Sequence, residues 1–388
     1  MRDIVPPLDA QQQQQVARVQ SALAARLARS GGWLSFAEYM QFALYEPGLG
    51  YYSAGATKFG AAGDFTTAPE LSTLFGHCVA RQVAELLREG GEVLEFGAGT
   101  GALAASVLGE LAARDRLPER YSIVEVSADL AQRQQQRLAQ LPPALAARVR
   151  WLQRLPDTPV EGVVLANEVA DALACERFVV GANGLLQQGV VQQAEGSLAF
   201  QARPAPPALQ AEFDRLQPEL AAPLPVGYCS ELCLQLDPWV AALGSALRRG
   251  AVLLFDYGLP RREYYHPQRR QGTLRCHFRH RAHEDALWLP GLQDLTAWVD
   301  FTRIAEAATA AGLEVAGYCT QSAFLLATGI EAELAAAGEG ALRARLASEA
   351  RQLLLPGEMG ETFKVMALTR GWDAPLAGCS LQDLRRQL

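Results

Sequence analysis

With 388 residues, 49% of them apolar, the chain can bury a large core without disulfide or metal staples, as two or three structural units or as one catalytic core with large insertions. Its net charge of −7 argues against a broad nucleic-acid surface, which needs clustered Lys and Arg, and no apolar run reaches the ~18 residues of a membrane span. Seven Cys without a CxxC pair fit reduced thiols rather than a disulfide framework, and the N-terminus shows neither a signal core nor transit-peptide character, so a bacterial cytoplasm is the expected location.

Residues 11–29 place Val16, Val19, Leu23 and Leu27 at helical spacing and predict an amphipathic helix. The stretch 31–76 is rich in aromatics and glycine, including Tyr39, Tyr45, Tyr52, Phe59 and Phe65; a helix is expected over 36–44, then loops of a length that is often functional. A helix over 71–88 leads into a strand at 92–96, a glycine-rich turn and a helix to about 114. Strands at 121–126, 149–152 and 162–166 alternate with helices, as in parallel βαβ units. After Cys175 the pattern changes. Residues 177–202 read as short strands with glycine turns, 204–225 as a Pro-rich linker around a short helix, and 230–247 as a helix that would give Cys229 and Cys233 a shared face. Strands at 251–256, 313–318 and 362–369 complete one doubly wound, mostly parallel, seven-stranded Rossmann-like α/β sheet. The expected division is an N-terminal helical and loop segment (1–90), the first part of the core (91–175), an inserted α+β segment (176–250) and the rest of the core with its acceptor-side loops (251–388).

The strongest local signal is Glu95-Phe96-Gly97-Ala98-Gly99-Thr100-Gly101, after a strand and before a helix. Its glycines permit a sharp turn and close approach of a ligand, and the helix N-terminus beyond offers free N–H groups. Gly97, Gly99 and Ala102 also fit the dinucleotide pattern GxGxxG/A, a weak signal alone. Glu95 separates the two cofactors. A carboxylate two residues before the first glycine repels a pyrophosphate, whereas S-adenosyl-L-methionine (AdoMet) lacks phosphate and carries a sulfonium and an ammonium. Glu95, Gly97, Ala98, Gly99 and Gly101 are therefore the expected AdoMet cradle. Glu125, ending the next strand, can accept both hydroxyls of an adenosine ribose, a role shared with NAD enzymes; its alternative is a plain surface carboxylate.

An ordered set of further blocks resembles the MidA family of class I methyltransferases over roughly 36–370. They include Tyr45-Glu46-Pro47-Gly48-Leu49-Gly50-Tyr51-Tyr52, Gly63-Asp64-Phe65-Thr66-Thr67-Ala68-Pro69-Glu70-Leu71-Ser72, Asn167-Glu168-Val169-Ala170-Asp171-Ala172-Leu173, Asp256-Tyr257-Gly258 and Asp294-Leu295-Thr296. The resemblance implies methyl transfer from AdoMet to an arginine of a protein substrate, with a respiratory complex I subunit as a candidate. It also implies that the segment holding Asp64, Pro69 and Glu70 closes over the cofactor. Where the family usually continues with Pro, Ala174 follows Leu173. On residue chemistry alone, residues 67–70 also read as the cap of the next helix.

Arginine is a difficult acceptor because its lone pairs are delocalised; carboxylates gripping two nitrogens localise charge and free the third. Glu168 and Asp171, three apart, would share a face on a helical turn and hold the acceptor, with Asn167 orienting it; alternatively Asp171 caps a helix and Glu168 is solvated. His277, His280 and His283 form HxxHxxH, but the interleaved Arg279 and Arg281 disfavour a metal. His280 or His283 could contact the acceptor or take its proton, or be structural. Two other functions compete: an assembly factor that binds AdoMet without catalysis, and an NAD-dependent oxidoreductase. The 177–202 strands could also pair edge to edge in a homodimer.

Overall fold

The computed structural model describes residues 7–54 and 66–388; the expectations for Phe59 and Gly63-Asp64-Phe65, and for the first six residues, lie outside this range. Seven strands form the central sheet: β1 (Glu92–Phe96), β2 (Tyr121–Val124), β3 (Val149–Leu152), β4 (Val160–Asn167), β5 (Leu247–Leu259), β6 (Glu314–Thr320) and β7 (Phe363–Arg370), in the spatial order β3-β2-β1-β4-β5-β7-β6. β1 to β5 run parallel, and β7 is antiparallel to both its neighbours. A two-residue strand, Val299–Asp300, extends the far end of β5.

The sequence of β4 explains its central place. Val163, Val164, Leu165 and Ala166 are all buried, the continuous apolar run of a strand covered on both faces. Successive side chains point to opposite faces. Val163 and Leu165 join Leu253, Phe255, Phe75 and Phe324 in one core layer beneath helices Thr73–Leu86, Ala102–Ala113 and Gln321–Ala327. Val164 and Ala166 join Leu254, Val240, Leu243, Phe301 and Ile304 in the other, beneath Leu236–Ala246 and Phe301–Ala310. Phe255 stands edge-on to both Phe75 and Phe324, at 5.3 and 5.2 Å between ring centroids.

Two smaller sheets sit beyond the C-terminal ends of these strands. In one, Glu176–Gly181, Gly184–Gln192, Leu198–Pro204 and Cys229–Leu232 pair antiparallel and are joined by Leu34–Ser35 from the N-terminal segment. In the other, Arg275–Phe278 lies between Arg281–His283 and Asp294–Thr296. Helices Ala10–Arg29 and Phe36–Tyr45 pack their apolar faces against this sheet through Val19, Leu23, Tyr39, Cys276 and Leu295. Among the described residues no helix is long and apolar enough to cross a membrane.

The helix expected over 230–247 is corrected. Cys229–Leu232 is a strand paired with Glu176–Val179, and the helix begins only at Leu236. Cross-strand pairing and burial of Glu231, which accepts the Thr273 N–H at 2.7 Å, override the local helical pattern, so Cys229 and Cys233 share no helix face. The helix expected over 71–88 is broken at Ser72, whose extended backbone separates Ala68–Leu71 from Thr73–Leu86. Leu236–Ala246 packs on the central sheet, not on the inserted strands.

Close strand approach fixes one residue type near the start of β4. Gly162 has φ 141°, and a Cβ there would lie 2.1 Å from the Glu92 carbonyl oxygen. Gly162→Ala is expected to destabilise the fold by about 3 kcal/mol, read from denaturant unfolding; a loss below about 1 kcal/mol would show that the strands can part at little cost.

Candidate active site

The strand order reverses between β1 and β4, and a cavity of about 720 Å³ opens beyond the C-terminal ends of β1, β2, β4 and β5. After Phe96 the chain turns through Gly97, Gly99 and Gly101 at φ 61°, 54° and 83°, left-handed values that glycine adopts without strain. A Cβ on Gly97 would stand 2.9 Å from the Val169 side chain, whereas nothing crowds Gly99. The loop is thus packed against the turn that follows β4 and bare toward the cavity.

One buried amide fixes the cradle. Gln134, on helix Ala128–Leu138, donates to the Gly99 carbonyl at 3.0 Å and to Glu125 Oε2 at 2.9 Å, and accepts from Trp151 Nε1 at 3.0 Å. The Ser127 N–H donates to Glu125 Oε1 at 2.8 Å, and the Ser127 hydroxyl to the Tyr52 carbonyl at 2.9 Å. Glu125 is thereby held at the cavity wall, where a carboxylate can accept a ligand's hydroxyls. Glu95 is buried beneath the loop and accepts from the Tyr121 hydroxyl at 2.8 Å. Burial, opposed by that hydrogen bond, lifts its pKa to about 7, and Glu125 adds to the rise.

The other end of the cavity is built by the turn after β4. Glu168 takes φ 53° and its N–H donates to the Phe255 carbonyl at 2.8 Å. Asp256, on β5, spans the turn: its Oδ2 accepts the N–H of Ala170 at 2.9 Å and of Asp171 at 3.3 Å, and its Oδ1 that of Tyr257 at 2.9 Å. The Tyr257 hydroxyl donates to Asp171 Oδ2. Asn167 Nδ2 donates to Glu168 Oε1 at 3.2 Å. Asp294 faces the same space and accepts from the Tyr52 hydroxyl at 3.0 Å; Tyr45 stacks on Tyr52 and donates to the Ala172 carbonyl at 2.9 Å.

These acids are crowded. Burial, then Asp171, pushes Glu168 up to about 8, and Asp294 adds to the rise. Burial raises Asp171 to about 6 against the Tyr257 hydroxyl, and burial with Asp171 and Glu168 pushes Asp256 up. Asn167 Oδ1 and Asp171 Oδ1 are buried without a hydrogen-bond partner.

A cavity lined by Glu95, Glu125, Glu168, Asp171 and Asp294, with Arg275 and His277 as the basic lining groups among the described residues, suits a cationic sulfonium and repels a pyrophosphate. The residues therefore fit AdoMet and not NAD.

Glu95, Gly97, Ala98, Gly99, Glu125, Pro69, Glu70, Asn167, Glu168 and Asp171 all line the one cavity. Glu70 lies in its wall with both oxygens occupied, by the Thr100 hydroxyl and by Arg137 at 2.8 and 3.1 Å. Two expectations are corrected. Glu168 and Asp171 share no helical turn; an irregular turn held by Asp256 places them together. His280 sits exposed at φ 59° in the hairpin turn between Phe278 and Arg281, outside the cavity lining, and strand alternation directs His277 into the cavity in its place. Sequence reasoning gave no site role to Gln134, Tyr52, Asp256, Tyr257 or Asp294. All but Gln134 stand in family-like blocks, and Asp256 and Tyr257 lie toward the C-terminal end of a core strand, which was the available signal. Nothing local marks Gln134.

Comparison with known proteins agrees with this geometry. Residues 75–319 match the family described as "Putative S-adenosyl-L-methionine-dependent methyltransferase". A Burkholderia thailandensis protein solved with S-adenosyl-homocysteine bound is 41% identical, with TM-score 0.92 over 99% of this chain and 100% of that one. The mitochondrial protein arginine methyltransferase NDUFAF7 homologue of Drosophila melanogaster is 31% identical over 88% of this chain and 83% of its own length. The mouse protein arginine methyltransferase NDUFAF7 is 30% identical over 88% and 82%. The cofactor is AdoMet, and the chain belongs to this family of AdoMet-dependent methyltransferases.

Proposed function

We propose that the chain transfers the methyl group of AdoMet to an arginine side chain of a protein. The observation that carries this reading is the pair of unpartnered buried oxygens, Asn167 Oδ1 and Asp171 Oδ1, beside the Glu168 carboxyl in one cavity. Unpaired buried acceptors cost roughly 1–3 kcal/mol each. A guanidinium, with five N–H donors in a planar fork and a fixed positive charge, answers both the orphaned acceptors and the crowded acids. That mitochondrial relatives carry the name protein arginine methyltransferase supports the same acceptor. A respiratory complex I subunit is the first candidate substrate, on the family resemblance.

AdoMet supplies an electrophilic methyl group. The residues of the chain supply alignment and charge. Glu168 and Asp171 would grip two guanidinium nitrogens, concentrating positive charge there and leaving the third with a usable lone pair; as that nitrogen takes the methyl group it would shed its proton to a carboxylate of the cavity, S-adenosyl-homocysteine leaving as the neutral thioether. The Tyr257 hydroxyl fixes Asp171, and Asn167 orients the group from β4. Tyr45, Tyr52, Trp239 and Trp298 close the lining with apolar surface that excludes water.

Radiolabelled methyl from AdoMet is expected to enter a protein band in a lysate lacking this enzyme, with methylarginine released on hydrolysis. Glu168→Gln should reduce incorporation by roughly 100-fold or more while S-adenosyl-homocysteine still binds. Label on another residue type, or undiminished transfer by the variant, would sink the assignment.

The grip requires ionised carboxyls, and a raised carboxyl pKa means that the ionised form is present above that pKa and lost as pH falls through it. kcat/KM for the acceptor should therefore fall on the acid side between about 8 and about 6, above the ordinary carboxylate range. Asn167→Ala, which removes a donor to Glu168, should move that limb to higher pH. A profile flat down to about pH 5 would remove the carboxyls from the reaction.

A further inference from the structure

Residues 66–71 lie between the two halves of the cavity. Thr66, Thr67, Pro69 and Glu70 line it together with the glycine loop and Glu168. Three separate elements hold this strap. Arg137, from helix Ala128–Leu138, grips Glu70 as a fork, Nη1 to Oε1 at 2.8 Å and Nη2 to Oε2 at 3.1 Å. The Thr100 hydroxyl, in the glycine loop, donates to the same Oε1. On the core side Ala68 is fully buried in the layer beneath helices Thr73–Leu86 and Ala102–Ala113. Just beyond the strap, the Ser72 hydroxyl donates to Glu349 at 2.6 Å.

We propose that Arg137 is a positioning residue for the cofactor site: by clamping Glu70 it holds the strap, and with it one wall of the cavity, against the glycine loop. A two-point guanidinium–carboxylate fork sets orientation as well as distance, which a single contact would not. Arg137 stands three residues beyond Gln134, so the helix face that fixes Glu125 and Gly99 through an amide also fixes the strap through a charge. The side chain is about one-third exposed, so its effect on stability is small and its effect on position large. Releasing the fork frees a wall of the cofactor site. This rests on the AdoMet site alone and is independent of which residue the enzyme methylates.

The test compares Arg137→Gln, Arg137→Lys, Glu70→Gln and the double variant Arg137→Gln/Glu70→Gln with the wild-type chain, using S-adenosyl-homocysteine as the probe. Calorimetry gives affinity, stopped-flow the dissociation rate, and amide exchange the protection of residues 66–72. Arg137→Gln should bind about tenfold more weakly through faster dissociation, with faster exchange confined to the strap, and Arg137→Lys should recover part of the loss. The double variant should be no worse than the poorer single one, because the two side chains act as a unit. Affinity within about twofold of wild type, or additive losses, would overturn the proposal. Faster exchange spread across β1 and β4 would make Arg137 a structural residue only and would equally overturn it.

Discussion

The end of the cavity that holds Glu168 and Asp171 depends on one buried acid. Asp256 collects three main-chain N–H groups, from Ala170, Asp171 and Tyr257, and so ties the turn after β4 to the end of β5. Without those contacts the turn would carry unpaired buried donors, each a penalty of roughly 1–3 kcal/mol. With them, Glu168 can hold its left-handed backbone, Asn167 stays in line with β4, and Asp171 comes within reach of the Tyr257 hydroxyl. Both strands are rigid because their apolar runs are buried on two faces, so the bracket inherits the stiffness of the sheet.

The price of this arrangement is electrostatic. Glu168, Asp171 and Asp294 line one end of the cavity, with Asp256 buried behind the turn, and Glu95 and Glu125 line the other. Burial and mutual repulsion raise several of their pKa values, which is the signature of a site kept under strain for a cationic ligand rather than for stability. AdoMet brings a sulfonium and an ammonium, and both relieve that strain. The same logic disposes of a dinucleotide, whose pyrophosphate would add charge of the wrong sign. The tyrosines and Gln134 matter for the opposite reason: they are neutral donors that hold individual carboxylates in place without cancelling the negative field.

Much of the architecture was legible because it is written in local chemistry. β1 and β3 were read to the residue, and β4 within two, since alternating βαβ patterning and β-branched runs need no partner to be recognised. The glycine loop and its two acids were legible because few sequences place three glycines so closely between a strand and a helix. The strand Cys229–Leu232 was not: Cys-Ser-Glu-Leu has no strand signature, and its conformation comes from Glu176–Val179 beside it. His280, and not His277, was expected at the site for a related reason. Which of two histidines meets a cavity depends on the phase of a short strand and on where its hairpin turns.

The sequence by itself determined the fold class, the position of the cofactor loop and the acidic character of the site, because each follows from residue types at short spacing. Only the tertiary structure decided how the acids are arranged. Glu168 and Asp171 meet through a turn held by Asp256, 86 and 85 residues from the Ala170 and Asp171 N–H groups it receives, and Glu70 turns away to Arg137, 67 residues distant. Contacts at such separations leave no periodicity in the chain, because they are set by which strands and helices pack together and not by the residues between them.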